Sequence, residues 1–193
     1  MPIDMFLKRK KDILSKEDKS SKGNVDEKIK NLCEKINSLE DCYTTSSCSG
    51  RIVIMVNQEK KAEGLLIKVY HDLISFEQIK KDLEELTKRK EDFKFKMEPC
   101  ALHVAFRNFE DAQKFYEKAK LLGWKKAGLI GLERRFVVEI NGSERLEFPI
   151  IKKGKILVND EFLKIVIEEA NEKLKKGWKK IGKLGENVEQ QNI

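Results

Sequence analysis

Apolar residues recur along this chain in two rhythms, and each change of rhythm marks a new element. From Pro2 to about Ser15, Ile3, Phe6, Leu7, Ile13 and Leu14 fall on one side of a helix. After the polar break "SKEDKSSKG", Val25, Ile29, Leu32, Ile36 and Leu39 repeat at intervals of three and four, the spacing of a second amphipathic helix. Asn24 stands where that helix needs an N-cap, with Glu27 three residues on, as in a capping box. The period then drops to two. "RIVIMV" and "LLIKVYH" are β-branched apolar runs on either side of a charged turn containing Gly64. They predict a hairpin whose first strand is central, because both its faces are apolar. "FKFKM", "ALHVAF", "AGLIGL", "RFVVEI" and "RLEFPII" supply further strands.

Three more helices are legible. "SFEQIKKDLEELTKRK" opens on Ser75 with Gln78 at the capping-box position and carries Phe76, Ile79, Leu83 and Leu86 on one face. The next begins at Asn108, aligns Phe109, Ala112, Phe115, Ala119 and Leu122, and stops at Gly123, which suits a left-handed C-cap. The last begins near Asn159 and sets Phe162, Val166, Ala170, Leu174, Trp178 and Ile181 in a stripe, with lysines from Lys173 to Lys183 turned to solvent or a polyanion. The polar "GENVEQQNI" after Leu184 predicts a disordered tail, 185–193. Strand, helix and strand recur twice with antiparallel hairpins attached, so the pattern predicts an α+β fold with a weak internal duplication. One compact domain, 1–184, with a mostly antiparallel sheet is expected. No G-x-G-x-x-G follows a strand, so the fold is not Rossmann-like.

Composition narrows the classes. A chain of 193 residues with 40% hydrophobic residues buries a real core. No apolar stretch reaches the length of a membrane span, and charges interrupt "MPIDMFLKRKKDIL" where a signal peptide needs an apolar run. A cytoplasmic location is therefore expected, without a membrane partner. Lys and Arg total 40 against 33 acids, for a net charge of +7, which favours a polyanionic partner such as nucleic acid. Abundant surface Lys and Glu also match archaeal hyperthermophile proteins. Cys33, Cys42, Cys48 and Cys100 form no C-x-x-C pair, so free thiols are expected. A zinc set of Cys42, Cys48, His71 and His103 has the wrong spacing, and no metal is predicted.

One segment stands apart. "YTTSSCSGRI", Tyr43 to Ile52, packs small hydroxyl and thiol residues against a glycine and an arginine. Read as a loop between helix and strand, it has free N–H groups at Ser47 to Gly50 that would form an anion nest. Arg51 would add two parallel hydrogen bonds to a carboxylate or phosphate. The plain alternative is a turn whose side chains satisfy their own backbone. His103 alternates onto the face of Ala101 and Ala105, and His71 ends a strand before Asp72. Taken alone, each reads first as an ordinary half-buried histidine and second as a proton carrier. Asp26 reads as a partner of the helix dipole or as a site carboxylate. A serine hydrolase built on Ser46 or Ser47 lacks the G-x-S-x-G elbow.

These stretches resemble the tRNA wybutosine-synthesizing protein 3 family. "YTTSSCSGRI" is similar to its signature almost residue for residue, and "GNVDEKI", "YHD", "EPCALHV", "DAQKFYEKAKLLGW" and the long run from Leu146 to Leu174 resemble its other segments. Two departures are present: Ala127-Gly128-Leu129 replaces Ser-Gly-Ile, and Tyr70 replaces the serine before His71. The resemblance implies a methyltransferase using S-adenosyl-L-methionine. Its substrate would be the tricyclic base beside the anticodon of phenylalanine tRNA, methylated at ring nitrogen N-4. It implies catalytic roles among Asp26, Ser46, Ser47, His71 and His103, and cofactor contacts from Thr44, Thr45, Ser47, Cys48, Ser49, Gly50 and Arg51. Arg134, Arg135, Lys175, Lys176, Lys179 and Lys180 would bind tRNA phosphates. A noncatalytic tRNA-binding module is the rival reading, separated by its failure to bind the methyl donor.

Overall fold

Residues 4–16, 26–58, 64–132 and 135–189 are described by the structure, a computed structural model. Along the chain they form α1 (Met5–Leu14), α2 (Glu27–Ser38), β1 (Cys42–Cys48), β2 (Arg51–Val56), β3 (Leu66–Tyr70), α3 (Phe76–Leu86), β4 (Phe93–Glu98), β5 (Ala101–Phe106), α4 (Phe109–Leu121), β6 (Lys126–Gly131), β7 (Phe136–Asn141), β8 (Leu146–Lys152), β9 (Lys155–Ile156) and α5 (Asp160–Glu189). The α+β expectation with antiparallel sheets holds. No helix among the described residues is long and apolar enough to cross a membrane.

The chain divides into two compact units drawn from interleaved stretches. Unit 1 takes residues up to Ser49, Cys100–Ser143 and the chain from Gly177 on; unit 2 takes Gly50–Pro99 and Glu144–Lys176. Because each unit is assembled from separated segments, no linker marks a boundary in the sequence.

Unit 1 is built on a four-stranded antiparallel sheet in the order β1-β5-β7-β6. One face of it carries the core: Leu102, Val104, Val138 and Ile140 pack with Ile29, Leu32 and Ile36 of α2, Phe115 and Ala119 of α4, and Ile181 and Leu184 of α5. Each such buried branched or aromatic side chain contributes roughly 1.5–3 kcal/mol over its exposed state. Asn108 caps α4, accepting from the Asp111 N–H at 2.9 Å, and Gly123 ends it at φ 87°. The opposite face is partly covered by α1, where Phe6 and Ile13 rest on Tyr43, Ala105 and Val137. Arg107 anchors that helix, pairing with Asp4 and Asp41.

Unit 2 is a five-stranded sheet in the order β3-β2-β4-β8-β9. As its two apolar faces predict, β2 is interior, and Ile52, Val53 and Ile54 are fully buried. Ser75 caps α3 through the Gln78 N–H at 3.2 Å. Asn171 of α5 fixes the segment before α3, accepting from the Ile74 N–H at 3.1 Å and donating to its carbonyl at 2.9 Å.

Three expectations change. The segment after Asp41 is strand β1, not a loop, because Tyr43 and the threonines favour extended backbone and find β5 as a partner. The nest of free N–H groups from Ser47 to Gly50 is therefore not formed as expected. The N-cap of α2 is Asp26, which makes no side-chain capping bond, while Asn24 and Val25 lie outside the described residues. Finally, α5 runs on to Glu189, with Leu184 and Val188 buried against the unit 1 core. That burial holds the first five residues of the expected tail in a helix, and 190–193 lie outside the described residues.

Candidate functional site

An edge strand exposes unpaired N–H groups, and β1 is an edge whose outer side is served by α2. Near its start, Thr44 N–H donates to Asn37 Oδ1 at 2.7 Å, and Asn37 Nδ2 donates to Thr44 Oγ1 at 3.0 Å. At its far end, Asp26 Oδ2 accepts from both the N–H and the hydroxyl of Ser49, at 3.1 and 3.2 Å. Ser49 is 1% exposed, so these bonds replace water that cannot reach it. Asp26 thus returns to the signature segment across 23 residues of chain, as one reading of it required. It holds the turn in which Gly50 adopts φ 98°, a conformation natural only to glycine.

A bulge at Thr45 sorts the signature between the two faces of the sheet. Thr44 pairs with Val104 and Ser47 with Leu102, on the core side, whereas Ser46 pairs with His103 and Cys48 with Ala101, on the other. The register continues from His103 to Glu139 and from Glu139 to Gly128. One row across the four strands is therefore Ser46, His103, Glu139 and Gly128. At Gly128 nothing lies within 4 Å of where a Cβ would stand, which leaves the row open beside β6.

His103 Nε2 lies 3.0 Å from Glu139 Oε1. Hydrogen bonds from Asn141 and His103 hold the Glu139 carboxyl below its ordinary value. An ionised Glu139 only accepts, so Nε2 is the donor of this pair. An open groove of about 910 Å³ lies on this face, lined by Arg9 and Ile13 of α1, Thr45, His103, Arg135, Val137 and the strip Leu129–Leu132. Ile130 and Leu132 are 55% and 61% exposed on its rim. Arg135 Nη1 donates to the Tyr43 hydroxyl at 3.0 Å.

Unit 2 contains Gly50, Arg51 and His71. Arg51 Nε donates to Glu98 Oε2 at 2.6 Å, and Lys96 adds a contact to Oε1 at 2.9 Å. Arg51 and Glu98 face each other across β2 and β4, so this guanidinium ties two strands. Burial pushes the Glu98 carboxyl up, yet the bonds from Lys96 and Arg51 outweigh it and hold the group below its ordinary value. A carboxyl depressed in the folded state stabilises above its unfolded pKa and loses that contribution as pH falls through the folded one. Arg51→Ala is accordingly expected to lower stability at pH 7 by about 1.5–3 kcal/mol, and Glu98→Gln to flatten the acid limb of stability. Urea melts between pH 7 and pH 3 check both; an unchanged midpoint for Arg51→Ala would remove the structural role. His71 follows β3, and the hydroxyl of Tyr70 before it donates to Asp82.

Arg134 lies outside the described residues. Lys175, Lys176 and Lys179 are exposed on α5, Lys175 pairing with Glu172 at 2.8 Å. Lys180 instead donates to the Gly123 carbonyl at 3.3 Å, at the end of α4. Cys42 belongs to the buried core, where burial pushes its thiol up to about 12. Among the described residues no cluster of His, Cys, Asp or Glu could hold a metal.

Comparison with known proteins bears on what this arrangement serves. The family described as Methyltransferase TYW3 matches residues 8–190. The chain belongs to that family. Among its relatives, a Pyrococcus furiosus protein is 41% identical over 86% of this chain and 81% of its own length. That protein is named tRNA(Phe) 7-((3-amino-3-carboxypropyl)-4-demethylwyosine(37)-N(4))-methyltransferase 2. A methyltransferase of the same name, without the final numeral, from Archaeoglobus fulgidus is 39% identical over 86% of this chain and 83% of its own length. The solved structure of the PH1069 protein from Pyrococcus horikoshii superposes with a TM-score of 0.84 at 29% identity, covering 95% of each chain.

Seen as a TYW3-family methyltransferase, the chain carries two polar constellations within unit 1: Asp26 with Ser49, and Thr45, Ser46 and His103 with Glu139. Sequence reasoning missed Glu139, Arg9 and Asn37. Glu139 left one trace, a carboxylate alternating against Val138 and Ile140 in "RFVVEI", but nothing local pairs that strand with the one carrying His103.

Proposed function

We propose that this chain methylates ring nitrogen N-4 of the tricyclic wyosine-type base beside the anticodon of phenylalanine tRNA, with S-adenosylmethionine as donor. The family match over residues 8–190 carries this reading, and the names of archaeal relatives support the choice of tRNA and nitrogen.

A donor of this kind needs an apolar wall for its adenine and polar groups for its hydroxyl and charged parts. The groove of unit 1 fits, with Ile130, Leu132 and Val137 as wall and Thr45, His103 and Arg135 as polar groups. S-adenosylmethionine, when bound, supplies a methyl group activated on a positively charged sulfur. The protein's own task is to orient the base, exclude water and take the proton that leaves the ring nitrogen. His103 Nδ1 is the acceptor we assign, with Glu139 holding the ring and stabilising the imidazolium that forms. Ile130 and Leu132, exposed on the rim of the groove, would be covered by a bound base and would then shield the reacting atoms from water. Asp26 positions Ser49 and the turn behind the signature strand.

Labelled S-adenosylmethionine incubated with hypomodified phenylalanine tRNA should transfer its methyl group to the tricyclic base. Affinity for tRNA without transfer and without binding of the donor would leave a noncatalytic binding module.

The exposed lysines of α5 test the nucleic-acid surface. Converting Lys175, Lys176 and Lys179 to Gln should weaken tRNA binding and reduce the salt dependence of log K by about 0.7–0.9 for each phosphate no longer neutralised, leaving donor affinity unchanged. An unchanged salt slope would assign the tRNA to another surface.

A further inference from the structure

We infer that the groove on the open face of the unit 1 sheet recognises an α-amino-acid arm, a 3-amino-3-carboxypropyl group, carried by a planar heterocycle. Arg9 and Arg135 take the carboxylate and Glu139 takes the ammonium. The inference rests on the methyltransferase reading above and deepens it.

The charges are arranged for a zwitterion. Three other arginines are occupied, Arg51 by Glu98, Arg89 by Glu91 and Arg107 by Asp4 and Asp41, while Arg145 is exposed and does not line the groove and Arg134 lies outside the described residues. Arg9 and Arg135, both half-buried, have no carboxylate partner among the described residues, and both line the groove. Arg135 is held by a neutral phenol, the Tyr43 hydroxyl at 3.0 Å, which orients the guanidinium without neutralising it. A planar guanidinium so placed matches a carboxylate with two parallel hydrogen bonds. The opposite charge lies in the row beside them. Hydrogen bonds from Asn141 and His103 favour the carboxylate form of Glu139, and with 36% of its side chain exposed it keeps lone pairs that can accept from an ammonium as well. Ile13, Ile130, Leu132 and Val137 give the apolar surface against which a flat ring system rests. A bare phosphate would leave Glu139 facing an anion, and a purely apolar ligand would leave two guanidiniums without partners.

Two molecules of the reaction carry this arm: the methyl donor on its sulfur, and the base that the archaeal relatives are named for. One comparison addresses each. Calorimetry would compare S-adenosylhomocysteine, which has the arm, with 5′-methylthioadenosine, which lacks it. Steady-state kinetics would compare phenylalanine tRNA bearing the tricyclic base with and without the arm. Wild-type protein is expected to prefer the arm-bearing member of at least one pair. Arg135→Ala, Arg9→Ala and Glu139→Gln should each reduce that preference about 10-fold or more, with Arg135→Lys intermediate. Loss of preference between the adenosyl ligands identifies the donor as the occupant, and loss between the tRNAs identifies the substrate base. Full preference in both pairs for folded variants overturns the inference alone. Wild-type protein that neither binds the adenosyl ligands nor methylates either tRNA overturns the proposed function instead. Unchanged far-ultraviolet dichroism identifies the folded variants, and Arg9→Ala leaves the Tyr43 bond intact should Arg135→Ala fail to fold.

Discussion

His103→Ala is expected to lower single-turnover methyl transfer about 100-fold or more, the usual contribution of a positioned proton acceptor, while tRNA affinity changes little. The imidazole lines the open groove and is paired at Nε2 with Glu139. It stands on a face not used by the core cluster of unit 1, so truncating it should leave the melting temperature nearly unchanged. Glu139→Gln should reduce the rate less, because the ring remains and its Nε2 partner keeps an acceptor oxygen while losing the charge that stabilises the imidazolium. Measured with labelled donor at saturating tRNA, a His103→Ala rate within a few-fold of wild type would sink the proton-acceptor assignment.

The second large effect is expected at Asp26. Alanine there leaves the N–H and hydroxyl of Ser49 without their acceptor in a place that water does not reach. Such orphaned groups cost about 1–3 kcal/mol, which for a chain of this size is a fall of roughly 2–12 °C in melting temperature. Because the same bonds hold the turn at Gly50, methyl transfer should also fall by more than about 10-fold. Asp26→Asn keeps an acceptor oxygen but removes the charge. Its one carbonyl oxygen can accept both bonds, as Oδ2 does, so it is expected to restore the melting temperature and most of the rate. If Asn restored the melting temperature and not the rate, the charge of Asp26 would act beyond geometry; if Ala altered neither, its role at the signature segment would be withdrawn.

Much of the local structure was legible because it depends on neighbours in sequence. Ser75 and Asn108 cap their helices as their positions predicted. Asn159 likewise accepts from the Phe162 N–H at 2.9 Å, and Gly123 takes the left-handed conformation expected where α4 ends. The two apolar faces of "RIVIMV" correctly marked an interior strand. The signature segment was legible as a family mark, yet its conformation was misread. Ser, Cys and Gly favour turns locally, and only the partner strand, 53 to 64 residues away, makes Cys42–Cys48 extended.

What the sequence by itself determined is therefore the helices, the strands other than β1 and β9, the caps at Ser75, Asn108 and Asn159, and the family to which they belong, all consequences of periodicity, of bonds spanning three or four residues and of a long shared signature. Only the tertiary structure decided which strands pair, and so which side chains meet. Asp26 reaches Ser49, and Ser46, His103 and Glu139 fall into one row, because antiparallel register joins β1 to β5 and β5 to β7 across long stretches of chain. Arg9 joins that face only because Phe6 and Ile13 dock α1 upon it. Such contacts are selected by burial and shape over the whole unit, and a single bulge or a one-residue slip would turn these side chains to the other face.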